Sequence, residues 1–306
     1  MNIIRVPSEL KTGGKHVCLA IGFFDGVHLG HQQIIRQTIA DARQHDAVAL
    51  VLTFDKHPNA IVAPEKTPPL IYSLPQKLRA IESLGVEHIL LIGFDKPFSQ
   101  QSGEGFIRGL ARDFGKIHSV CVGADFVFGH KRGGNVALLK SLGAELHFHV
   151  HGLSAVSLDG QAVSSTRIRE AIRTGNTDDA SQMLGRPYAI CGKVIAGDKR
   201  GRDLGFPTAN LDMAGLVLPP NGVYAAITRL NGRLYRVALN IGVRPTVAAG
   251  RGLQVEAHVL DFDGDLYGEE LEIEIGDKLR EEKKFGSPTE LRLQIAQDVA
   301  AVRGQG

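Results

Sequence analysis

The sequence predicts an α/β domain with a parallel sheet, followed by a small antiparallel β-barrel with one C-terminal helix. Three observations carry that prediction. In the first half, short runs that are apolar on both faces alternate with helical patterns, as in a parallel sheet covered by helices. After about residue 185 the rhythm changes to short strands joined by tight turns. The chain has 306 residues, about two domains at ~150 residues each.

The elements follow in order. Residues 16–21 form a buried strand, and 28–44 form a helix with Ile34, Ile35, Thr38 and Ile39 at helical spacing. A second strand spans 47–54. Ser73-Leu74-Pro75-Gln76 has the form of a capping box and opens a helix to about residue 84. A strand at 88–92, a helix around 105–114, a strand at 117–122, and a helix end and strand within 140–151 continue the alternation. Another helix begins at the Ser164-Ser165-Thr166 run, and the helical pattern ends at Leu184. Gly185-Arg186-Pro187 breaks it and reads as a linker, setting domains at 1–185 and 186–306. Beyond it, Asn231-Gly232 between 224–230 and 234–239 is a two-residue hairpin signal. Asp263-Gly264 between 255–260 and 266–275 predicts a second such hairpin. Ser287-Pro288 starts the last helix, with Leu291, Ile295 and Val299 on one face.

Composition excludes several classes. Hydrophobic residues are 43% and charged residues 22%, an ordinary globular mix and not that of a disordered tail or a disulfide-knotted mini-domain. Lys+Arg 35 against Asp+Glu 33 gives +2, so net charge makes no case for a nucleic-acid or membrane-surface partner. Cys18, Cys121 and Cys191 are far apart, form no CxxC, and suit a reducing compartment. Apolar stretches such as 47–52 fall far short of the ~20 residues of a membrane span. Arg5, Pro7 and Glu9 interrupt the start before an apolar core of signal-peptide length forms. The expectation is a soluble cytoplasmic protein with small-molecule partners, neither nucleic acid nor membrane, and the sequence sets no oligomeric state.

The most informative segment is G-F-F-D-G-V-H-L-G-H at 22–31, directly after the first strand and leading into the first helix. In an open α/β sheet, ligands bind at the carboxyl ends of strands. Glycines there let the backbone approach phosphates, and a helix N-terminus favours the anion. Gly22, Phe23, Asp25, Gly26 and Gly30 are therefore candidate phosphate contacts. His28 and His31, three residues apart, share one helix face and can both donate to phosphate oxygens. There they would stabilise charge developing at an α-phosphorus during nucleotidyl transfer. The alternatives, a solvated pair or a weak metal pair, are outweighed by the strand-to-helix position and by Gly30 between them. Ser164, Ser165, Thr166 and Arg167 open a later helix and form a second phosphate cradle. Alone, such a run reads as an N-cap.

H-x-G-H early and S-S-T-x-I-R late resemble the nucleotidylyltransferase superfamily, whose Rossmann-like domains transfer AMP or CMP from a nucleoside triphosphate to a phosphate. T-F-D-K-H-P at 53–58, and 122–129 followed by Arg132-x-Gly134-Asn135, look like the FAD synthetase branch, which adenylylates FMN. The resemblance implies catalytic roles for His28 and His31 and ATP binding by Gly22, Phe23, Asp25, Gly26, Gly30, Ser164, Ser165, Thr166 and Arg167. It implies flavin binding by Phe54, Asp125, Phe126, Phe128 and Arg132. Phe23, Phe54, Phe126 and Phe128 suit the flanks of an isoalloxazine ring, with core packing as the alternative for each. Lys56 stands where a proline usually gives P-H-P, and Val127 where a polar residue is frequent. Both bear on individual contacts, not on the activity.

The second rich segment is 192–210, a Gly- and base-rich loop ending in G-F-P-T-A-N. Its N–H groups and cations suit phosphates, and Thr208 and Asn210 offer neutral oxygens for Mg²⁺. On charge alone the loop reads as solvated. With N-I-G-V-R-P-T at 240–246, V-E-A-H at 255–258 and L-R-E-E-K-K-F at 279–285, it resembles the riboflavin kinase domain. The order of the halves resembles the bifunctional bacterial riboflavin kinase/FAD synthetase family over nearly the whole chain. The resemblance implies ATP binding by Lys193, Gly197, Lys199, Gly205, Pro207, Thr208 and Asn210, with Thr208 and Asn210 holding Mg²⁺. It implies that Glu256 is the general base for the ribityl 5′-hydroxyl, and that Asn240 and Arg280 lie on the flavin side. The alternative for Glu256 is a strand carboxylate facing water.

The expected function is phosphorylation of riboflavin to FMN in the barrel, then AMP transfer from a second ATP to FMN, giving FAD and pyrophosphate. Two competitors stand beside it: an adenylyltransferase whose barrel only binds a ligand or nucleic acid, and a flavin-storage protein without turnover. Against the nucleic-acid version, the barrel aromatics Tyr224, Tyr235, Phe262, Tyr267 and Phe285 are not interleaved with a basic face. Three decoys fail on one residue each: His16 after Gly13-Gly14-Lys15, Arg108 at a required glycine, and Leu266 at the glycine of an EF-hand-like loop.

Overall fold

The computed structural model describes residues 1–197, 200–244 and 252–304. The chain forms two compact units, Met1–Leu70 with Leu74–Ser165, and Ile71–Ser73 with Thr166–Gly306.

The first unit is a six-stranded parallel sheet. Its strands are β1 (Asn2–Ile4), β2 (Val17–Ile21), β3 (Val48–Phe54), β4 (His88–Ile92), β5 (Ile117–Gly123) and β6 (His149–Leu153), ordered β1-β4-β3-β2-β5-β6. The longer helices are α1 (Leu29–Gln44), α2 (Leu74–Glu82), α3 (Gly103–Phe114) and α4 (Val136–Leu146). Side chains alternate across the sheet, so it needs cover on both faces. Leu19, Ile21, Leu50, Leu52 and Val120 pack with Phe106, Leu110, Leu139 and Leu142 of α3 and α4. Ala20, Val51, Ile89 and Cys121 pack on the other face with Ile34, Ile35 and Ile39 of α1 and Ile81 of α2. Side-chain oxygens of Ser102 and Asn135 cap α3 and α4, accepting from Gly105 N at 3.0 Å and Leu138 N at 2.9 Å. The order reverses at β2, with β3 on one side and β5 on the other. That switch point opens a crevice at the carboxyl ends, where the loops after β2, β3 and β5 emerge.

In the second unit, α5 (Ser165–Thr174, whose first residue closes the first unit) and α6 (Thr177–Leu184) precede a closed six-stranded antiparallel barrel. Gly185, at φ 69, ends α6. Tyr188 then anchors the barrel's first strand: its N donates to Ser181 Oγ at 2.9 Å and its buried hydroxyl to Val217 O at 3.0 Å. The strands are β7 (Ala189–Ile195), β8 (Ala209–Asp212), β9 (Gly222–Leu230), β10 (Arg233–Arg244), β11 (Gly252–Val259) and β12 (Glu270–Arg280), ordered β7-β8-β11-β10-β9-β12. Val237, Leu239 and Ile241 pair with Val259, Ala257 and Val255 and fill the interior. Helix α7 (Pro288–Gly304) packs on the outer face, where Val299 and Val302 meet Ala225, Ala238, Leu260 and Leu279.

The parallel sheet, the barrel and the closing helix are as the sequence predicts. Leu230 pairs with Arg233, and Asn231 and Gly232 take φ 49 and 80, the positive values of a tight hairpin turn. The expected hairpin at Asp263-Gly264 does not exist: β11 pairs with β8 and β10, whereas β12 pairs with β7 and β9. Here the left-handed positions fall on Asp261 (φ 58) and Gly268 (φ 82), and Asp265 Oδ1 accepts from Tyr267 N at 2.9 Å. The segment is thus a longer crossing between non-neighbouring strands. Cys18, Cys121 and Cys191 are buried and unbridged, and burial pushes the Cys121 thiol up to about 12. Among the described residues no helix is long and apolar enough to cross a membrane.

Candidate active sites

The first candidate site grows out of the end of β2. Gly22 N donates to Leu52 O at 3.2 Å, and the chain then folds back so that the Phe24 ring lies where a Gly22 Cβ would stand, 2.7 Å away. Phe24 takes a left-handed conformation (φ 55), as do Gly26 (φ 75) and Val27 (φ 42). Only glycine adopts such angles without cost, and for a β-branched residue like Val27 they are strained. The turn is held from both sides. Gln32 Nε2 donates to Val27 O at 3.0 Å, and Ser165 Oγ donates to Asp25 O at 3.2 Å.

His28 is the N-cap of α1, and its Nδ1 accepts from His31 N at 3.4 Å. The two imidazoles are stacked, with centroids 3.6 Å apart, and Phe24 meets the His31 ring edge-on at 5.3 Å. A Cβ on Gly30 would stand 3.2 Å from the His28 ring, so the glycine preserves the space in which that ring sits. The helix start, two imidazoles and a glycine-lined turn therefore meet at the crevice, as the sequence predicts. Asp25 is buried, Phe23 and Ser164 are half-buried, and Thr166 and Arg167 follow in the first turn of α5.

The remaining first-unit candidates divide. Phe128 is buried, stacked on Phe126 at 5.1 Å and packed in the core, whereas Phe126 and Phe54 stay half-buried. Asp125 and Arg132 are exposed in the loop after β5.

Sequence reasoning missed Lys77 beneath this crevice. It is 3% exposed, and its Nζ donates to Phe54 O at 2.7 Å, Phe23 O at 3.2 Å and Thr53 Oγ1 at 3.3 Å. It lies 4.3 Å from the Phe23 ring centroid. Burial depresses the ammonium to about 8, while Asp25 and Asp55 pull it back up. The signal was a lysine four residues before buried Ile81, on the core stripe of an amphipathic helix.

The second candidate site is a row across the outer face of the barrel. Asn210 pairs with Glu256, Glu256 with Asn240, Asn240 with Val223, and Val223 with Arg280. Directly paired residues project to the same face. Gln254 joins the row from two residues away: its Nε2 donates to Glu256 Oε1 at 2.9 Å and to Asn210 Oδ1 at 3.2 Å. Gly197 packs against the Asn210 carboxamide, and a Cβ on Gly201 would stand 3.0 Å from Thr208 Oγ1. Pro207 O meets His258 Nδ1 at 2.7 Å, and Gly205 turns the chain at φ 88. Lys193 is exposed on β7 and pairs with Asp212, two residues beyond Asn210. Lys199 lies outside the described residues.

Arg280 ends the row but is engaged in packing. Its Nε and Nη2 both donate to the Asp298 carboxylate of α7 at 2.8 Å, and Nη1 donates to Glu281 O at 3.0 Å. Asp298 was another residue the sequence did not single out. Thr208 and Asn210 fit a hard cation: both offer neutral oxygens, and glycines stand against both side chains. Among the described residues no cluster of three or more His, Cys, Asp or Glu is arranged to hold a metal.

Two family models match the chain in sequence order, FAD synthetase over residues 11–167 and riboflavin kinase over residues 184–305. Bifunctional riboflavin kinase/FMN adenylyltransferase from Escherichia coli K12 is 36% identical over 99% of this chain and 97% of its own length. The Haemophilus influenzae protein of that description is 37% identical over 99% and 98%. A crystal structure described as a macrolide-efflux protein from Streptococcus pneumoniae superposes with a TM-score of 0.82 at 28% identity, covering 100% of this chain and 99% of that one.

Proposed function

The chain belongs to the bifunctional riboflavin kinase/FMN adenylyltransferase family, and on that premise we propose which of its residues carry each reaction. It phosphorylates riboflavin to FMN with ATP, and it transfers AMP from ATP to FMN, giving FAD and pyrophosphate. One observation carries the assignment of residues: each candidate site falls within one family model, His28 and His31 inside 11–167 and Glu256 inside 184–305. We place the functional boundary at 185/186, with residues 1–185 as adenylyltransferase and 186–306 as kinase.

In the kinase, Glu256 takes the proton of the ribityl 5′-hydroxyl as that oxygen attacks the γ-phosphorus and ADP leaves. Gln254 orients the carboxylate through Oε1. Thr208 and Asn210 hold Mg²⁺, which when bound neutralises phosphate charge. Lys193, Lys199 and the backbone around Gly197, Gly205 and Pro207 hold the nucleotide, while Asn240 faces the flavin. Arg280 acts on the flavin side by fixing α7 through Asp298.

In the adenylyltransferase, an FMN phosphate oxygen attacks the α-phosphorus and pyrophosphate leaves. The attacking oxygen is already deprotonated, so no general base is required. His28, His31 and the start of α1 stabilise charge on the triphosphate, with Ser164, Ser165, Thr166 and Arg167 as the second cradle. Phe54, Phe126, Asp125 and Arg132 make the flavin side, and Phe128 supports Phe126 from below. The buried unbridged cysteines support a cytoplasmic setting, and the substrates named above are small molecules.

The test is a time course with riboflavin, ATP and Mg²⁺ resolved by chromatography. FMN rising first and FAD after it supports both assignments. FAD formed only when FMN is supplied reduces the barrel to a binding module.

A further inference from the structure

Lys77 is a charged group buried where an apolar one would be cheaper. Moving an ammonium out of water carries a large desolvation cost, and a methionine of similar length would avoid it. What the ammonium adds is geometry. A lysine has three protons to donate, and the three acceptors here are Phe23 O, Phe54 O and Thr53 Oγ1. Thr53 Oγ1 in turn donates to Phe23 O at 3.0 Å, closing a triangle. Phe23 lies in the loop that leads to His28, and Phe54 ends β3, from which the 55–58 segment leaves. Because all three protons are used, none is left for a substrate oxygen.

We propose that Lys77 is a positioning residue for FMN adenylylation, which acts through the Phe23 and Phe54 carbonyls to set the spacing between the nucleotide loop and the flavin loop. This rests on the reading that the loops after β2 and β3 bind the two substrates. Because the ammonium ties both loops, its loss moves both binding sites at once, and small displacements of bound groups are costly.

The experiment compares full-length Lys77→Met, Thr53→Val and Ile81→Ala. KM and kcat for ATP and FMN are measured, with riboflavin phosphorylation as internal control and thermal denaturation as fold control. Ile81 is fully buried on the same helix and touches neither carbonyl through a polar group. Lys77→Met is expected to raise KM for both ATP and FMN about tenfold, with riboflavin phosphorylation unchanged. Ile81→Ala is expected to lower the melting temperature with both KM values unchanged. Thr53→Val shifts the same two KM values less, and the double variant is no worse than Lys77→Met alone. Wild-type KM values in folded Lys77→Met, or an equal KM rise in Ile81→Ala, overturn the proposal. Should Lys77→Met fail to fold, Thr53→Val decides by the same readout. His28→Ala separates the two levels. If it leaves FAD formation intact, the site reading fails. If it stops FAD formation while Lys77→Met leaves KM unmoved, only the positioning role fails.

Discussion

One Gln254 carboxamide bridges Glu256 and Asn210, 2.9 Å from the carboxylate Oε1 and 3.2 Å from the amide Oδ1. It links the proposed base to a proposed metal ligand on the neighbouring strand. A hydrogen bond to a charged group contributes about 1.5–3 kcal/mol, so Gln254→Leu should lower riboflavin phosphorylation by roughly tenfold or more. FMN adenylylation should not change. Separate assays of the two half-reactions decide it, and an unaltered kinase kcat/KM removes Gln254 from the site.

Glu256→Gln should remove most riboflavin phosphorylation, a loss of about 10²–10⁴-fold for a general base, and spare FAD formation from supplied FMN. His28→Ala and His31→Ala should do the reverse. Loss of both activities from any one change would show that the sites are not independent.

The Lys77 ammonium should give adenylylation a basic limb. Burial lowers it from 10.5 to about 8, against the pull of Asp25 and Asp55. Below the folded value it is protonated in both folded and unfolded chains, and its burial cost is fully present. Between the folded and unfolded values the native chain has shed the proton and the unfolded chain has not, so its contribution to stability improves as pH rises. The neutral amine has two N–H groups for three acceptors, so activity should fall over the same window. Adenylylation measured across about pH 7 to 10 should show this limb, and Lys77→Met should lack it. Urea titrations at the same pH values report the opposite sign.

Arg280 and Asp298 form a bidentate pair with side chains 15% and 7% exposed. Removing one partner of a buried pair costs about 3–5 kcal/mol, whereas an apolar pair of similar volume is often tolerated. Asp298→Ala should lower the melting temperature of the barrel, and riboflavin phosphorylation should decline with it. Arg280→Met with Asp298→Leu should recover much of the stability. Calorimetry of the three proteins is the measurement, and a double variant as unstable as Asp298→Ala would contradict this account.

The geometry of the first candidate site was legible because it is contiguous: Gly22 through His31 carries the turn, the cap and both imidazoles in one stretch. The Asn231-Gly232 turn was legible for the same reason, since two adjacent residues set it. Asp263-Gly264 misled because a turn signal reports local bending and not which strands pair. Lys77 was hidden because its acceptors lie 54, 24 and 23 residues away, and a helical lysine by itself reads as surface. Gln254 meets Asn210 across 44 residues, a proximity made by the barrel. Arg280 stood out by family likeness, but its partner Asp298, 18 residues away, did not.

The row of Asn210, Glu256 and Asn240 exists only because three strands keep one register. A slip of one residue in β11 would turn Glu256 inward and present Val255 or Ala257 in its place. If that row carries the kinase reaction as proposed, riboflavin phosphorylation is a proofreading signal for barrel assembly. In a refolding mixture, secondary-structure content counts every chain that has formed strands, and kinase turnover should count only those whose strands have paired correctly.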